Sequence, residues 1–174
     1  MKTTAILIAG FGGQGTLFAG KVLASASLEK GLEVSWLPSY GPEMRGGTAN
    51  CSVMISDSPI GSPIVSHPDV LIALNKPSFE KYEKMAAPGA KLFVDSSLVD
   101  SRSERTDIEI FYIPASELAA EAGDAHLSNI VLLGKAVKQT GLFSLEEIEA
   151  CLDKIIPESK ASLRELNKKA LRKG

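Results

Sequence analysis

Cysteine is scarce in this sequence, and its scarcity excludes several classes of protein. Cys51 and Cys151 are the only two in 174 residues, far apart and outside any C-x-x-C or Cys/His cluster. A disulfide framework, a structural zinc site and iron–sulfur ligation all need more thiols at tighter spacing. Two buried or incidental thiols are expected instead. Histidine is as rare. His67 precedes Pro68, His126 lies in a Gly/Asp/Ala segment, and neither has a metal-ligand partner three or four residues on. No metal site is expected on this chain.

Long apolar runs are missing too. The longest, such as AILIAG and NIVLLG, fall far short of the roughly 20 residues that a bilayer-spanning helix needs. From Met1 to Gly13 there is one lysine and a short apolar stretch, with glycines where a signal peptide needs a longer apolar core. A net charge of −2 offers no bulk attraction to nucleic acid. With 44% hydrophobic and 23% charged residues the composition is ordinary globular. The expectation is a soluble, cytoplasmic protein, one domain over residues 1–174, without nucleic acid or a membrane span.

What is present alternates between strand and helix patterns. TAILIA (4–9) is a short continuous apolar run, like a strand covered on both faces. GFGGQG follows, then TLFAGKVLASASLEKG reads as a helix, with Leu17, Val22 and Leu28 near helical spacing and Gly31 as its stop. LEVSWL (32–37) and TANCSVMIS (48–56) read as strands. The gap between them is too short for a crossover helix, so an antiparallel pairing is expected there. DVLIAL (69–74), the strand ending at Asp95, and IEIFYIP (108–114) continue the sheet. Helices are expected after Asn75 with Pro77 in the first turn, over 114–123, from Ser128 to Gly141, from the Ser144/Glu147 capping box, and in the tail. The tail carries six Lys/Arg against two Glu, which suits either an acidic partner surface or a solvated face. Strands alternating with helices predict an α/β fold: a three-layer α/β/α sandwich with a Rossmann-like, mostly parallel but mixed sheet.

The glycine loop comprises Gly10, Gly12, Gly13, Gln14 and Gly15. Gly10, Gly12 and Gly15 match G-x-G-x-x-G after a strand and before a helix, where backbone N–H groups and the helix dipole favour an anion. A dinucleotide site also needs an acid near the end of the second strand; VSWLPSY stands there, and Glu33 is at the wrong end. No Lys-Ser/Thr follows, so this is no P-loop. Two readings remain open: tight strand-to-helix packing without a ligand, and another phosphate-bearing ligand.

The stretch SYGPEMRGG contributes a second candidate: Ser39, Tyr40, Gly41, Pro42, Glu43, Arg45, Gly46 and Gly47. Pro38 and Pro42 restrict the backbone, while Gly46 and Gly47 permit turns and close approach. The loop is expected at the carboxyl end of a strand, beside the glycine loop, where open α/β sheets bind ligands. Glu43 and Arg45 are either held there for a ligand or partner, or form a surface pair worth little. Arg45 offers a planar fork that matches carboxylate or phosphate.

IAGFGGQGTLFAGKVLA, PSYGPEMRGGTANCSVMIS, HPDVLIALNKPSFEKY and LSNIVLLGKAV together resemble the gamma subunit of the 2-oxoacid:ferredoxin oxidoreductases, over nearly the whole chain. The last segment resembles the family's late helix with its asparagine, here Asn129. The resemblance implies a complex that converts a 2-oxoacid and coenzyme A to acyl-CoA and CO2, passing two electrons to ferredoxin. It implies alpha, beta and ferredoxin-like partner subunits, which carry the thiamine diphosphate, its magnesium and the iron–sulfur clusters. No catalytic residue stands on this chain alone, and the family's gamma portion is linked to coenzyme A handling. Separate short gamma chains of this kind resemble those of 2-oxoglutarate and branched-chain enzymes more than the pyruvate ones. The alternatives are a free-standing Rossmann-like nucleotide-binding enzyme, a purely structural assembly subunit, and the small subunit of an indolepyruvate oxidoreductase.

Overall fold

The structure, a computed structural model, describes residues 3–39 and 48–174. Its centre is a six-stranded sheet in the order β2-β3-β1-β4-β5-β6. The strands are β1 (Thr4–Phe11), β2 (Glu33–Ser39), β3 (Thr48–Ser56), β4 (Val70–Ala73), β5 (Lys91–Asp95) and β6 (Glu109–Ile113). β1, β4, β5 and β6 run parallel, whereas β3 lies antiparallel between β1 and β2. The expected antiparallel pairing is therefore present. The sheet places β3 between β1 and β2, so that the carboxyl ends of β1, β2 and β4 share an edge with the start of β3.

Among the described residues six α-helices accompany the sheet: α1 (Thr16–Glu29), α2 (Lys76–Tyr82), α3 (Ala115–Ala122), α4 (Ser128–Thr140), α5 (Leu145–Ile155) and α6 (Ala161–Lys173). One sheet face, with Ile6, Ile8, Val53 and Ile72, packs on α1 and α3 to α6. The other, with Leu7, Ala9, Leu71 and Leu92, packs on Phe79 and Tyr82 of α2 and on Val65 and Val99. Alternate side chains of one strand thus enter different cores, as the period of two requires. The three-layer α/β/α architecture is as expected.

Local chemistry explains several boundaries. Ser144 and Glu147 form the reciprocal capping box of α5. Asn75 caps α2 by accepting from the Ser78 N–H, with proline in the first turn. Gly31, Gly123 and Gly141 take positive φ just past helix ends.

Helix α1 corrects one expectation. Val22 is buried and Leu17 packs partly against the core, but Leu28 is 65% exposed, and the buried face is made mostly of small residues with Ala19, Gly20, Ala26 and Ser27. The reason is distance to the sheet. A Cβ on Gly20 would run into Cys51 Sγ and stand 2.9 Å from Trp36 Nε1, so only small residues let the helix sit so close to β2 and β3.

Candidate functional site

The candidate site is built at the edge where β1, β2 and β4 end. β1 leads into the glycine loop, and Gly15, at φ 76°, is the N-cap residue of α1 with no side-chain cap. Gly13 also takes positive φ, a backbone that only glycine adopts without strain. Gly10 is a glycine for a different reason, and Gly15 for both. A Cβ on Gly10 would stand 2.8 Å from Gln14 Oε1 and 3.0 Å from Leu74 Cβ, and one on Gly15 would collide with the Asn129 amide. The close-packing reading of these two positions has direct support.

Gln14 folds back over the loop it belongs to. Its Oε1 accepts from the Phe11 N–H at 2.6 Å and from Asn75 Nδ2 at 2.9 Å, while its Nε2 donates to the Leu74 carbonyl at 3.2 Å. A donor that a bound anion would use is therefore already taken from within the chain. From the far side, Asn129 Nδ2 donates to the Gly15 carbonyl at 3.0 Å. Asn129 is buried in the first turn of α4, and its Oδ1 has no partner among the described residues. Two amides from opposite sides thus pin the turn, and Asn129 is brought to the glycine loop across 114 positions of sequence.

What the loop leaves open is mostly apolar. Gly12, Gly13, Gly15, Thr16, Leu17 and Phe18, with Ala49 of β3, line a shallow hollow of about 280 Å³. Phe11 beside it is 38% exposed.

The second candidate loop is anchored at the same edge. Ser39 closes β2 opposite Asn50 of β3, and Thr48 opens β3 opposite Phe11. Of its predicted members only Ser39 is described; Tyr40, Gly41, Pro42, Glu43, Arg45, Gly46 and Gly47 lie outside the described residues. Thr48 stands one position from Gly10 in the β1–β3 register, and Ser39 lies one strand further out, opposite the Asn50 that faces Ala9.

Asn75 and Asp95 are site-edge residues that the sequence reading did not single out. Asn75 ties Gln14 to α2; an asparagine two positions before a helical proline was the available signal. Asp95 is fully buried at the end of β5, where it accepts from the N–H groups of Ser97 and Ser116 at 3.1 and 3.2 Å and from Ser116 Oγ at 2.6 Å. It supplies the first turn of α3 with the acceptor that the N-cap residue, Pro114, lacks.

Both thiols are buried and free. Burial pushes Cys51 up to about 12, against a smaller opposing effect of its hydrogen bond with Trp36, and burial likewise raises Cys151. Neither is a ready nucleophile or ligand. Among the described residues no group of three or more His, Cys, Asp or Glu is placed to hold a metal ion, and no helix is long and apolar enough to cross a membrane. The basic face of α6 is largely paired within the chain: Lys168 with Asp153 at 2.7 Å, Arg172 with Glu149 at 2.6 Å, Lys173 with Glu121 at 2.9 Å. Of the two readings of the tail, these pairs leave less free charge for an acidic partner.

Comparison with known proteins bears on the family and the fold. Residues 5–174 match the family model described as pyruvate ferredoxin/flavodoxin oxidoreductase. The ketoisovalerate oxidoreductase subunit VorA of Methanothermobacter thermautotrophicus is 42% identical over 142 residues, which are 82% of this chain and 29% of that relative. The crystal structure of a keto/oxoacid ferredoxin oxidoreductase gamma subunit from Geobacter sulfurreducens superimposes with a TM-score of 0.84 at 32% identity, covering 98% of this chain and 95% of that one. The 2-oxoglutarate:ferredoxin oxidoreductase of Magnetococcus marinus, solved with 2-oxoglutarate, coenzyme A and succinyl-CoA, gives a TM-score of 0.87 at 25% identity over 99% of this chain and 30% of that one.

Proposed function

Because this chain belongs to the pyruvate ferredoxin/flavodoxin oxidoreductase family, we propose that it serves as the gamma-type subunit of a 2-oxoacid:ferredoxin oxidoreductase. Residues 1–174 act as one gamma-type domain within a cytoplasmic complex of alpha, beta and ferredoxin-like subunits. That complex oxidatively decarboxylates a 2-oxoacid with coenzyme A and passes the electrons to ferredoxin. The chain contributes surface to a site shared between subunits and does not hold the cofactors itself.

The observation that carries this reading is the convergence at one sheet edge. The glycine loop, Ser39 and the start of β3 stand together there, and the hollow beside them is apolar and shallow. Such a surface suits a neighbouring subunit better than a buried nucleotide. In this reading thiamine diphosphate, its magnesium and the iron–sulfur clusters sit on the partner subunits, which suits a chain with only two cysteines, Cys51 and Cys151, far apart in sequence. In the glycine loop, Gln14 occupies the Phe11 N–H, which favours the packing reading of that turn. Within SYGPEMRGG, Arg45 is the residue whose planar fork matches a carboxylate or a coenzyme A phosphate.

Reconstitution tests the reading. Pure chain given a 2-oxoacid, coenzyme A and a viologen dye is expected to show no turnover, and the complete complex is expected to show it. Turnover by the chain alone, or a fully active complex assembled without it, would end the proposal.

A further inference from the structure

Helix α2 touches both halves of the candidate edge through named hydrogen bonds. At its start, Asn75 accepts from the Ser78 N–H at 2.9 Å and donates to Gln14 Oε1 at 2.9 Å, and Gln14 in turn holds the Phe11 N–H. At its end, the Tyr82 hydroxyl accepts from Asn50 Nδ2 at 2.9 Å. Asn50 is the β3 residue opposite both Ser39 of β2 and Ala9 of β1. Between these ends the helix is fixed to the sheet: Phe79 and Tyr82 are buried in one core with Ala9, Leu71 and Ala73. Phe79 also meets the Tyr112 ring edge-on, with centroids 6.2 Å apart.

We propose that α2 braces the glycine loop and the β2–β3 end from one sheet face, adding to the relation that the β1–β3 pairing sets directly. Gln14 is the positioning residue at one end and the Asn50–Tyr82 pair is the positioning device at the other. The helix itself touches no ligand. Its seven residues are too few to be stable alone, so its order comes from the core and its two polar ends. Loosening one end therefore loosens the other. The consequence for function rests on the reading of this edge as a shared site: the glycine loop and the strand ends at Ser39 and Asn50, held by one frame, meet a partner with less left to order on assembly.

The test uses the full chain and then the assembled complex, with Gln14→Met, Tyr82→Phe and the double variant. Methionine keeps the length of the glutamine without its polar atoms, and Tyr82→Phe removes only a hydroxyl. Site-resolved hydrogen exchange on the chain is the first readout. Tyr82→Phe is expected to speed exchange at Phe11 and Gln14, and Gln14→Met at Ser39 and Asn50, by roughly two- to tenfold, the scale of one net hydrogen bond. The double variant is expected to fall short of the product of the two. Exchange that changes only beside each substitution overturns the proposal, whatever the activity does. Should Gln14→Met fail to fold, the remote effect of Tyr82→Phe alone decides. In the complex, remote exchange effects with lowered kcat and unchanged substrate KM support the frame acting on a shared site. Remote effects with unchanged kcat and KM leave the frame standing and count against the shared-site reading.

Discussion

Gly134 in α4 and Gly13 in the glycine loop are the same residue in opposite surroundings. A Cβ on Gly134 would be driven into the backbone carbonyl of Leu171 in α6, whereas one on Gly13 would meet nothing within 4 Å among the described residues. Gly134 is buried in a helix interior, where glycine costs about 1 kcal/mol relative to alanine; it is there because two helix backbones come together. Gly13 is exposed and takes φ 92°; it is there because the chain turns. The first glycine serves the core and the second serves an open edge. Stability measurements should therefore report on the α4–α6 seam, and measurements on the complex should report on the loop.

The largest effect is expected at the seam. Gly134→Ala meets backbone that no rotamer change can clear, so its cost should reach about 3 kcal/mol, the upper end of overpacking. For a chain of this size that is roughly 6–12 °C in Tm, read by calorimetry. An unchanged Tm would show that the seam yields easily and would remove one side of the contrast. Gly15→Ala comes next because it combines both situations: a positive φ and a collision with the Asn129 amide. About 1–2 kcal/mol for the backbone and about 1 for the displaced hydrogen bond are expected.

Arg45→Lys tests the edge itself. Charge is kept and the planar fork is lost, so activity of the assembled complex should fall roughly tenfold to hundredfold, from a charged hydrogen bond worth about 1.5–3 kcal/mol. The Tm of the chain should hold. A lowered Tm with normal activity would make Glu43 and Arg45 a structural pair. Gly13→Ala should cost the chain only about 1–2 kcal/mol for its backbone angle, and it should also weaken assembly if a neighbouring subunit lies on the open face.

The smallest effect belongs to the α5 cap, which is remote from both glycines. The Ser144 N–H, and then the Lys30 ammonium, hold the Glu147 carboxylate below its ordinary pKa. A depressed pKa means stabilisation that is present above the unfolded value and lost as pH falls through the folded one. Glu147→Gln should therefore lower Tm slightly at neutral pH, and the difference from the parent should shrink on acidification through the carboxylate range. A difference that grows at low pH would contradict the assignment.

Local elements were legible in the sequence wherever a local cause sets them. The Ser144/Glu147 spacing marks the start of α5, the glycines after 30, 122 and 140 mark helix ends, and a gap too short for a crossover helix marks β2 and β3 as antiparallel neighbours. On α1 the spacing of Leu17, Val22 and Leu28 points to the core side for the first two and not for Leu28, which is exposed. The deciding fact is the closeness of Gly20 to Cys51 and Trp36, which no window within the helix contains.

The candidate edge divides in the same way. By itself the sequence determined the glycine turn, the strand before it and the helix after it, because turn angles and hydrophobic periods act over a few residues. Only the tertiary structure decided that β3 enters beside β1, that Gln14 answers to Leu74 and Asn75, and that Asn129 reaches Gly15. Those partners lie 60, 61 and 114 positions apart. What brings them within 3.2 Å is strand order and helix placement, set by burying two apolar sheet faces at once.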